Sequence, residues 1–290
     1  MIGKAIAYGA ATVVNAIATG KGSAFGLNLK TKAEVELNNS GKITAEIKNF
    51  PDEDTKLIKL CAENVLKYFN LNYGAHIITE SEIPIARGLK SSSVAANAVV
   101  LATVSALSKE ESIVLPGDEF IINIGVDSAI KANVTITGAF DDACASYLGG
   151  LVVTDNKKRI LVKRKKMPRL DAIIFVPDEK VYTKSIDLDR INLIRDEIEL
   201  IWGDALRGNI YRAMKMNGIL YSSVLRQNPE IIVSALEEGA ISAGLSGTGP
   251  AVVALAKTQK IIKSIEKKWR EFDGRIIQTK INNKKSHIIE

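Results

Sequence analysis

Cysteine and histidine are scarce in this 290-residue chain, with two of each. Cys61 and Cys144 lie far apart and show no Cys-x-x-Cys spacing. That excludes a disulfide framework and points to free, buried thiols in a reducing compartment, the cytoplasm. His76 and His287 stand alone, so no zinc site is credible. Aromatic residues are only 6% of the chain and do not interleave with the basic ones. The net charge of +6 therefore suits small anions better than a nucleic-acid surface. The one dense basic cluster, Lys163-Arg164-Lys165-Lys166 behind Lys157-Lys158-Arg159, reads as a solvated β-hairpin. No apolar run is long enough to span a membrane. Lys4 followed by Ala5–Gly20 loosely imitates a signal peptide but lacks a leucine-rich centre. A Walker loop is also missing. Gly3-Lys4 and Gly20-Lys21 lack both the following hydroxyl residue and the upstream glycine.

The chain is long enough for a full core and two domains. Residues 3–16 read as a buried strand with a turn at Gly9, and 35–47 as a hairpin around Asn38-Asn39-Ser40-Gly41. Apolar residues at helical spacing mark 52–69, and further helices are expected over 94–107, 117–131 and 141–148. A hairpin over 151–162 follows. Near Pro168 the texture changes to a strand at 172–176, long helices over 188–225 and 229–239, a strand at 251–255, a basic helix at 258–271 and a closing strand at 275–281. Strands and helices mix without a βαβ repeat, which predicts an α+β fold. The boundary is placed at 168, giving domains 1–168 and 169–290.

Three segments carry chemistry. Residues 84–96 read Pro-Ile-Ala-Arg-Gly-Leu-Lys-Ser-Ser-Ser-Val-Ala-Ala, between a strand-like run and an apolar helix. A helix start presents unpaired N–H donors and partial positive charge, which suit a phosphate. Gly88 permits a tight turn, Lys90 adds a charge, and the serine hydroxyls can reach a metal ion. An ordinary serine-capped helix is the alternative. The second segment is Ala243-Gly244-Leu245-Ser246-Gly247-Thr248-Gly249-Pro250, a backbone free to wrap a ligand or a plain turn. The third is Gly138-Ala139-Phe140-Asp141-Asp142-Ala143, closing at Gly149-Gly150. Its two acids are either helix-start charges or a base and a metal ligand.

In order, these segments and residues 3–14 resemble the superfamily of small-molecule kinases that includes galactokinase, homoserine kinase, mevalonate kinase and phosphomevalonate kinase. The resemblance spans almost the whole chain. It implies an N-terminal domain like domain 2 of ribosomal protein S5, a ferredoxin-like C-terminal domain, and an active site between them. There are departures. Ala10-Ala11 replace a Glu-His pair, and Lys90 stands where most members have glycine. The opening segment, the Arg-Gly-Leu-Lys-Ser-Ser-Ser loop and Asp-Asp-Ala look most like the branch that phosphorylates shikimate.

The resemblance implies roles residue by residue. Pro84, Ile85, Ala86, Arg87, Gly88, Leu89, Lys90, Ser91, Ser92, Ser93 and Val94 would form the ATP loop, with Ser92 on Mg²⁺. Asp142 would be the catalytic aspartate, with Asp141 its rival by one position. Lys4 matches the lysine that sits beside that aspartate. Gly247, Thr248 and Gly249 would lie near the acceptor or the terminal phosphate. A metal-binding glutamate of mevalonate kinase falls here on Lys131, leaving Asp127 or Asp141 as substitutes. The implied partners are ATP and shikimate, with no nucleic acid and no membrane, and a homo-oligomer is compatible with the chain. A sister kinase acting on homoserine or mevalonate, and a non-catalytic nucleotide- or RNA-binding S5-like protein, are the competing readings.

Overall fold

Small residues let the first strand lie directly against a core helix. The computed structural model describes residues 1–48, 50–84, 88–111, 113–178 and 186–290. In it β1 (Ile2–Val14) packs on α2 (Ser91–Glu110) so closely that a Cβ on Gly3 would stand 2.1 Å from the Ala102 carbonyl oxygen. By length and composition α2 is apolar enough to cross a membrane, contrary to the sequence expectation. However, 78% of its apolar window is buried inside the fold, so it is a core helix. Gly9 makes no turn. β1 runs through it with a register shift between Tyr8 and Gly9, the mark of a bulge.

The 18-residue β2 (Lys21–Asn38) pairs antiparallel with β1 along its length. On its other side it meets β5 (Leu151–Asp155) over Lys21–Phe25 and β4 (Gly74–Ser81) over Thr31–Asn38. β3 (Ile43–Ile47) follows the Asn-Asn-Ser-Gly turn but does not pair back on β2. β4 takes the place beside β2, and β3 joins it in parallel on the outer side. The expected hairpin is thus split by a strand from later in the chain, whose buried Ala75 and Ile77 claim the position next to the core. β6 (Ile160–Lys165) completes the basic hairpin with β5. Three further helices cover this half: α1 (Lys56–Tyr68), α3 (Asp118–Lys131) and α4 (Phe140–Leu148).

The second sheet has the order β10 (Gly274–Lys280), β7 (Asp171–Pro177), β9 (Val252–Ala256) and β8 (Ser242–Leu245), all antiparallel. The expected long helix over 188–225 is three helices: α5 (Leu188–Asn192), α6 (Arg195–Arg207) and α7 (Ile210–Val224). Gly208 at φ 101° ends α6. α8 (Glu230–Glu237) and α9 (Gln259–Trp269) are joined by fully buried Trp269, whose Nε1–H donates to the Ile231 carbonyl at 2.9 Å.

The end of the chain does not stay with the second sheet. Asn282 N–H donates to the Gly26 carbonyl at 2.9 Å, Gly150 N–H donates to the Asn282 carbonyl at 2.8 Å, and Ser286 N–H donates to the Tyr147 carbonyl at 2.7 Å. β11 (His287–Ile289) then pairs with β1. The last residues therefore belong to the first sheet, which a boundary drawn once at 168 does not capture.

Candidate active site

Three segments far apart in sequence meet around a cavity of about 510 Å³. The first is the end of β1. Thr12 Oγ1 accepts from Gly247 N–H at 2.8 Å, and Asn15 Nδ2–H donates to the Gly247 carbonyl at 2.7 Å. Asn15 is itself held by α7, because its N–H donates to Asn217 Oδ1 at 2.9 Å and Tyr221 Oη donates to its carbonyl at 3.2 Å. The second is the serine loop. Gly88 lies at φ 79°, and a Cβ there would stand 2.2 Å from the Ser246 carbonyl oxygen. Ser246 Oγ donates to the Gly88 carbonyl at 2.8 Å, so the glycine turn after β8 is bolted onto the start of α2.

Among the described residues, no side chain caps the N-terminus of α2. Its first-turn residues Ser91, Ser92 and Ser93 line the cavity with Gly88 and Lys90. Donors and positive dipole end thus face open space that suits an anion. Lys90, just before the helix, has left-handed backbone at φ 66°. Its side chain is only 10% exposed, and its ammonium lies 2.9 Å from Asp142 Oδ2.

The third segment is the start of α4. Asp141 and Asp142 sit in its first turn and line the cavity. Their environments differ. Asp141 Oδ1 accepts from Asn156 Nδ2 at 2.7 Å, and its N–H donates to Asn156 Oδ1 at 3.2 Å. Its other oxygen lies against Gly22, where a Cβ would stand 2.5 Å away. Asp141 is therefore tied to the sheet. Asp142 Oδ1 is buried and, among the described residues, finds no hydrogen-bond partner. Burial, then repulsion from Asp141, pushes the Asp142 carboxyl up from 3.8 to about 7, against the opposing pull of Lys90. A carboxyl poised there suits a general base.

One part of the lining is an apolar slot of Ile47, Leu57, Ile58, Val134 and Ile136, while Thr31, Thr79, Asn133, Glu53 and Asp54 add polar groups.

The expected site residues divide. Gly88, Lys90, Ser91, Ser92, Ser93, Asp141, Asp142, Gly247 and Thr248 line one cavity. Leu89 and Val94 are buried in the core instead, and Pro84 and Gly249 are not among the lining residues. Gly249 packs its backbone against the serine loop, its carbonyl oxygen 3.0 Å from where a Gly88 Cβ would be. Ile85, Ala86 and Arg87 lie outside the described residues.

Lys4 is not at the site. Its ammonium pairs with Glu34 at 2.8 Å, and both side chains are well exposed. Lys4 is not among the residues that line the cavity. The cation beside the aspartate is Lys90. Asp127 pairs with Arg159 at 2.6 Å, and Lys131 Nζ donates to Asn64 Oδ1 at 2.8 Å. Neither lines the cavity. Sequence reasoning misses Thr12, Asn15 and Asn156. The first two lie in or beside the opening motif, which is a signal for them; nothing local marks Asn156.

An uncapped helix start facing a buried carboxylate, clamped by a glycine turn from the second half, defines a kinase for small molecules without a Walker loop. The chain belongs to the GHMP kinase family: residues 56–150 match the model of the GHMP kinases N terminal domain, and residues 204–274 that of GHMP kinases C terminal. It is 46% identical over 288 residues to a protein of Methanothrix thermoacetophila named shikimate kinase, covering 99% of this chain and 96% of that one. A protein of the same name from Methanosarcina mazei is 47% identical over 284 residues, covering 97% and 94%. In fold the chain matches a mevalonate kinase of Methanococcus jannaschii with a TM-score of 0.74 at 18% identity, over 97% of this chain and 98% of that one.

The placement of Lys4 has a direct test. Exposed ion pairs contribute little, so Lys4→Ala is expected to leave turnover within about twofold and stability within about 0.5 kcal/mol. A hundredfold loss of turnover in a steady-state assay would return Lys4 to the chemistry.

Proposed function

We propose that this protein transfers the γ-phosphoryl group of ATP to the 3-hydroxyl of shikimate. The observation that carries the chemistry is the pair formed by Lys90 and Asp142 at the uncapped start of α2. The near full-length identity to proteins named shikimate kinase carries the acceptor.

The triphosphate would lie over the first turn of α2, with N–H groups of the serine loop as donors. The base would enter the apolar slot between Leu57, Ile58, Val134 and Ile136. The acceptor would sit between Asp142 and the turn carrying Gly247 and Thr248. Asp142 Oδ1 takes the proton of the acceptor hydroxyl as that oxygen bonds to the γ-phosphorus. The bond from that phosphorus to the bridging oxygen breaks, and ADP leaves with its electron pair. In such transfers the protein contributes positioning and charge neutralisation more than covalent chemistry. Asn156 holds Asp141 aside, which keeps the second carboxylate from competing for the hydroxyl.

Mg²⁺ fits the donors present. It is a hard cation that takes oxygen ligands and keeps several waters and phosphate oxygens. Among the described residues no cluster of three acidic, histidine or cysteine side chains stands ready for a metal, and an ion held mainly by nucleotide and water needs none. Ser92 would hold it at the phosphate loop, where it would neutralise charge on the nucleotide.

We place the protein in the cytoplasm. Cys61 and Cys144 are free and buried, and burial pushes the Cys61 thiol up to about 12, as befits thiols kept reduced and unreactive.

The test is ADP release with Mg-ATP against shikimate, homoserine, mevalonate and galactose. Turnover is expected with shikimate, and the product should be the 3-phosphate by phosphorus NMR. Turnover with homoserine in its place would move the protein to a sister kinase.

A further inference from the structure

A lysine is an unfavourable choice for the position that residue 90 occupies. Its φ of 66° and ψ of 23° put it in the left-handed region, where a side chain is strained and glycine is at ease. A non-glycine residue kept there, at the edge of a cavity, marks a side chain held for what it does. The surroundings are built for its ammonium. Gly247, at φ 61°, has no side chain, and a Cβ there would stand 2.9 Å from Lys90 Nζ. Asp142 Oδ2 meets the ammonium at 2.9 Å, and the Lys90 side chain is nine-tenths buried. Burying an ammonium is costly unless it is paired, and here one carboxylate oxygen supplies the pairing. Among the described residues, Lys90 is the one cation lining the cavity.

An ammonium has three N–H donors. One is directed at Asp142. Lys90 immediately precedes the serines that would cradle the phosphates, and its ammonium has two donors beyond the one on Asp142. The lysine that the family resemblance assigns to this task, Lys4, is paired with Glu34 and does not line the cavity.

We propose that Lys90 supplies, from inside the phosphate loop, the cation that bridges Asp142 and the transferring γ-phosphoryl group. This rests on the reading of the cavity as a site of phosphoryl transfer from ATP. Without nucleotide the ammonium is committed to Asp142. With triphosphate bound, a phosphate oxygen shares it, and Asp142 is released to accept the acceptor's proton. Lys90 neither gains nor loses a proton in the step. The proton passes from acceptor hydroxyl to Asp142, the new oxygen–phosphorus bond forms, and the bond to ADP breaks. Lys90 neutralises charge on the phosphoryl oxygens as they move and orients the base. One consequence is that the site distinguishes ATP from ADP by the γ-phosphate itself.

The experiment uses two substitutions in the full chain. Lys90→Gly removes the ammonium and relieves the left-handed backbone. Lys90→Met removes the charge and keeps the length of the side chain. Both are expected to lower kcat by about 10²- to 10³-fold, the usual cost of losing one preorganised donor. By calorimetry in Mg²⁺, both should lose about tenfold in affinity for the β,γ-imido analogue of ATP. ADP affinity should stay within about threefold, the remainder that a shared loop contact leaves. Circular dichroism and melting should report an intact fold.

Unchanged kcat in Lys90→Gly would overturn the proposal. So would equal losses of ADP and analogue affinity, which would reduce Lys90 to shaping the loop. A rise confined to the acceptor KM would assign it to the acceptor instead. If the unsubstituted protein turned over none of the acceptors, the proposed function would fail. The two nucleotide affinities would still judge Lys90.

Discussion

Asp142→Asn is expected to lower kcat by about 10²- to 10⁴-fold, the range for losing a general base, while nucleotide affinity stays within a few-fold. Asparagine keeps the shape of the side chain but cannot take a proton. The same residue sets the pH response. Burial and Asp141 raise the Asp142 carboxyl to about 7, so in the free enzyme kcat/KM should climb as pH rises through 7 and then level off. The shift has a stability side. Between its ordinary 3.8 and about 7 the folded chain binds this proton more tightly than the unfolded chain does. The stability this site contributes is therefore present at low pH and lost as pH rises through 7. A fully active Asp142→Asn beside an inactive Asp141→Asn would place the base one residue earlier. An acid limb in kcat/KM well below pH 5 would mean that the cavity does not hold its carboxyl in the protonated form.

Gly88→Ala is expected to raise the KM for ATP by about 10- to 100-fold. A Cβ at this position would stand 2.2 Å from the Ser246 carbonyl oxygen, and the backbone at φ 79° is one that alanine rarely adopts. The serine loop must lift off the glycine turn, which breaks the contact from Ser246 Oγ to the Gly88 carbonyl. Shifts of about an ångström are enough to misplace a reacting group a hundredfold. Gly41 is the internal control. It has a similar φ of 66°, but a Cβ there would meet nothing within 4 Å, so Gly41→Ala should cost only the backbone strain of about 1 kcal/mol. A Gly88→Ala enzyme with the parent's KM would show that the two loops need not touch for ATP to bind.

Much of the site is legible in the sequence because its parts are local. The run from Gly88 to Ser93 announces a turn and a helix start, and Asp141-Asp142 before Gly149 announces a second one. Turn chemistry and helical spacing are properties of a few adjacent residues. What stays hidden depends on distant partners. Asn38 to Gly41 is a sound hairpin turn, but β4 outcompetes β3 for the place beside β2. His287–Ile289 is too short to read as a strand until β1 is present to pair with it. Lys4 matches a motif by spacing, but it pairs with Glu34 and stays out of the cavity lining. Lys90 reads as part of the phosphate loop, but no local rule can bring Asp142 to it. The pairing arises only when α2 and α4 pack side by side.

The return of the chain to β1 bears on how the protein is made. α4, which carries Asp142, is laced at its far end by Ser286, whose N–H donates to the Tyr147 carbonyl and whose Oγ donates to the Ser146 carbonyl at 3.0 Å. On the ribosome these anchoring atoms emerge well after the helix that they hold. A nascent polypeptide can assemble most of its first sheet early, but the far end of the helix bearing the proton acceptor gains the Ser286 contacts only once translation has run through residue 286.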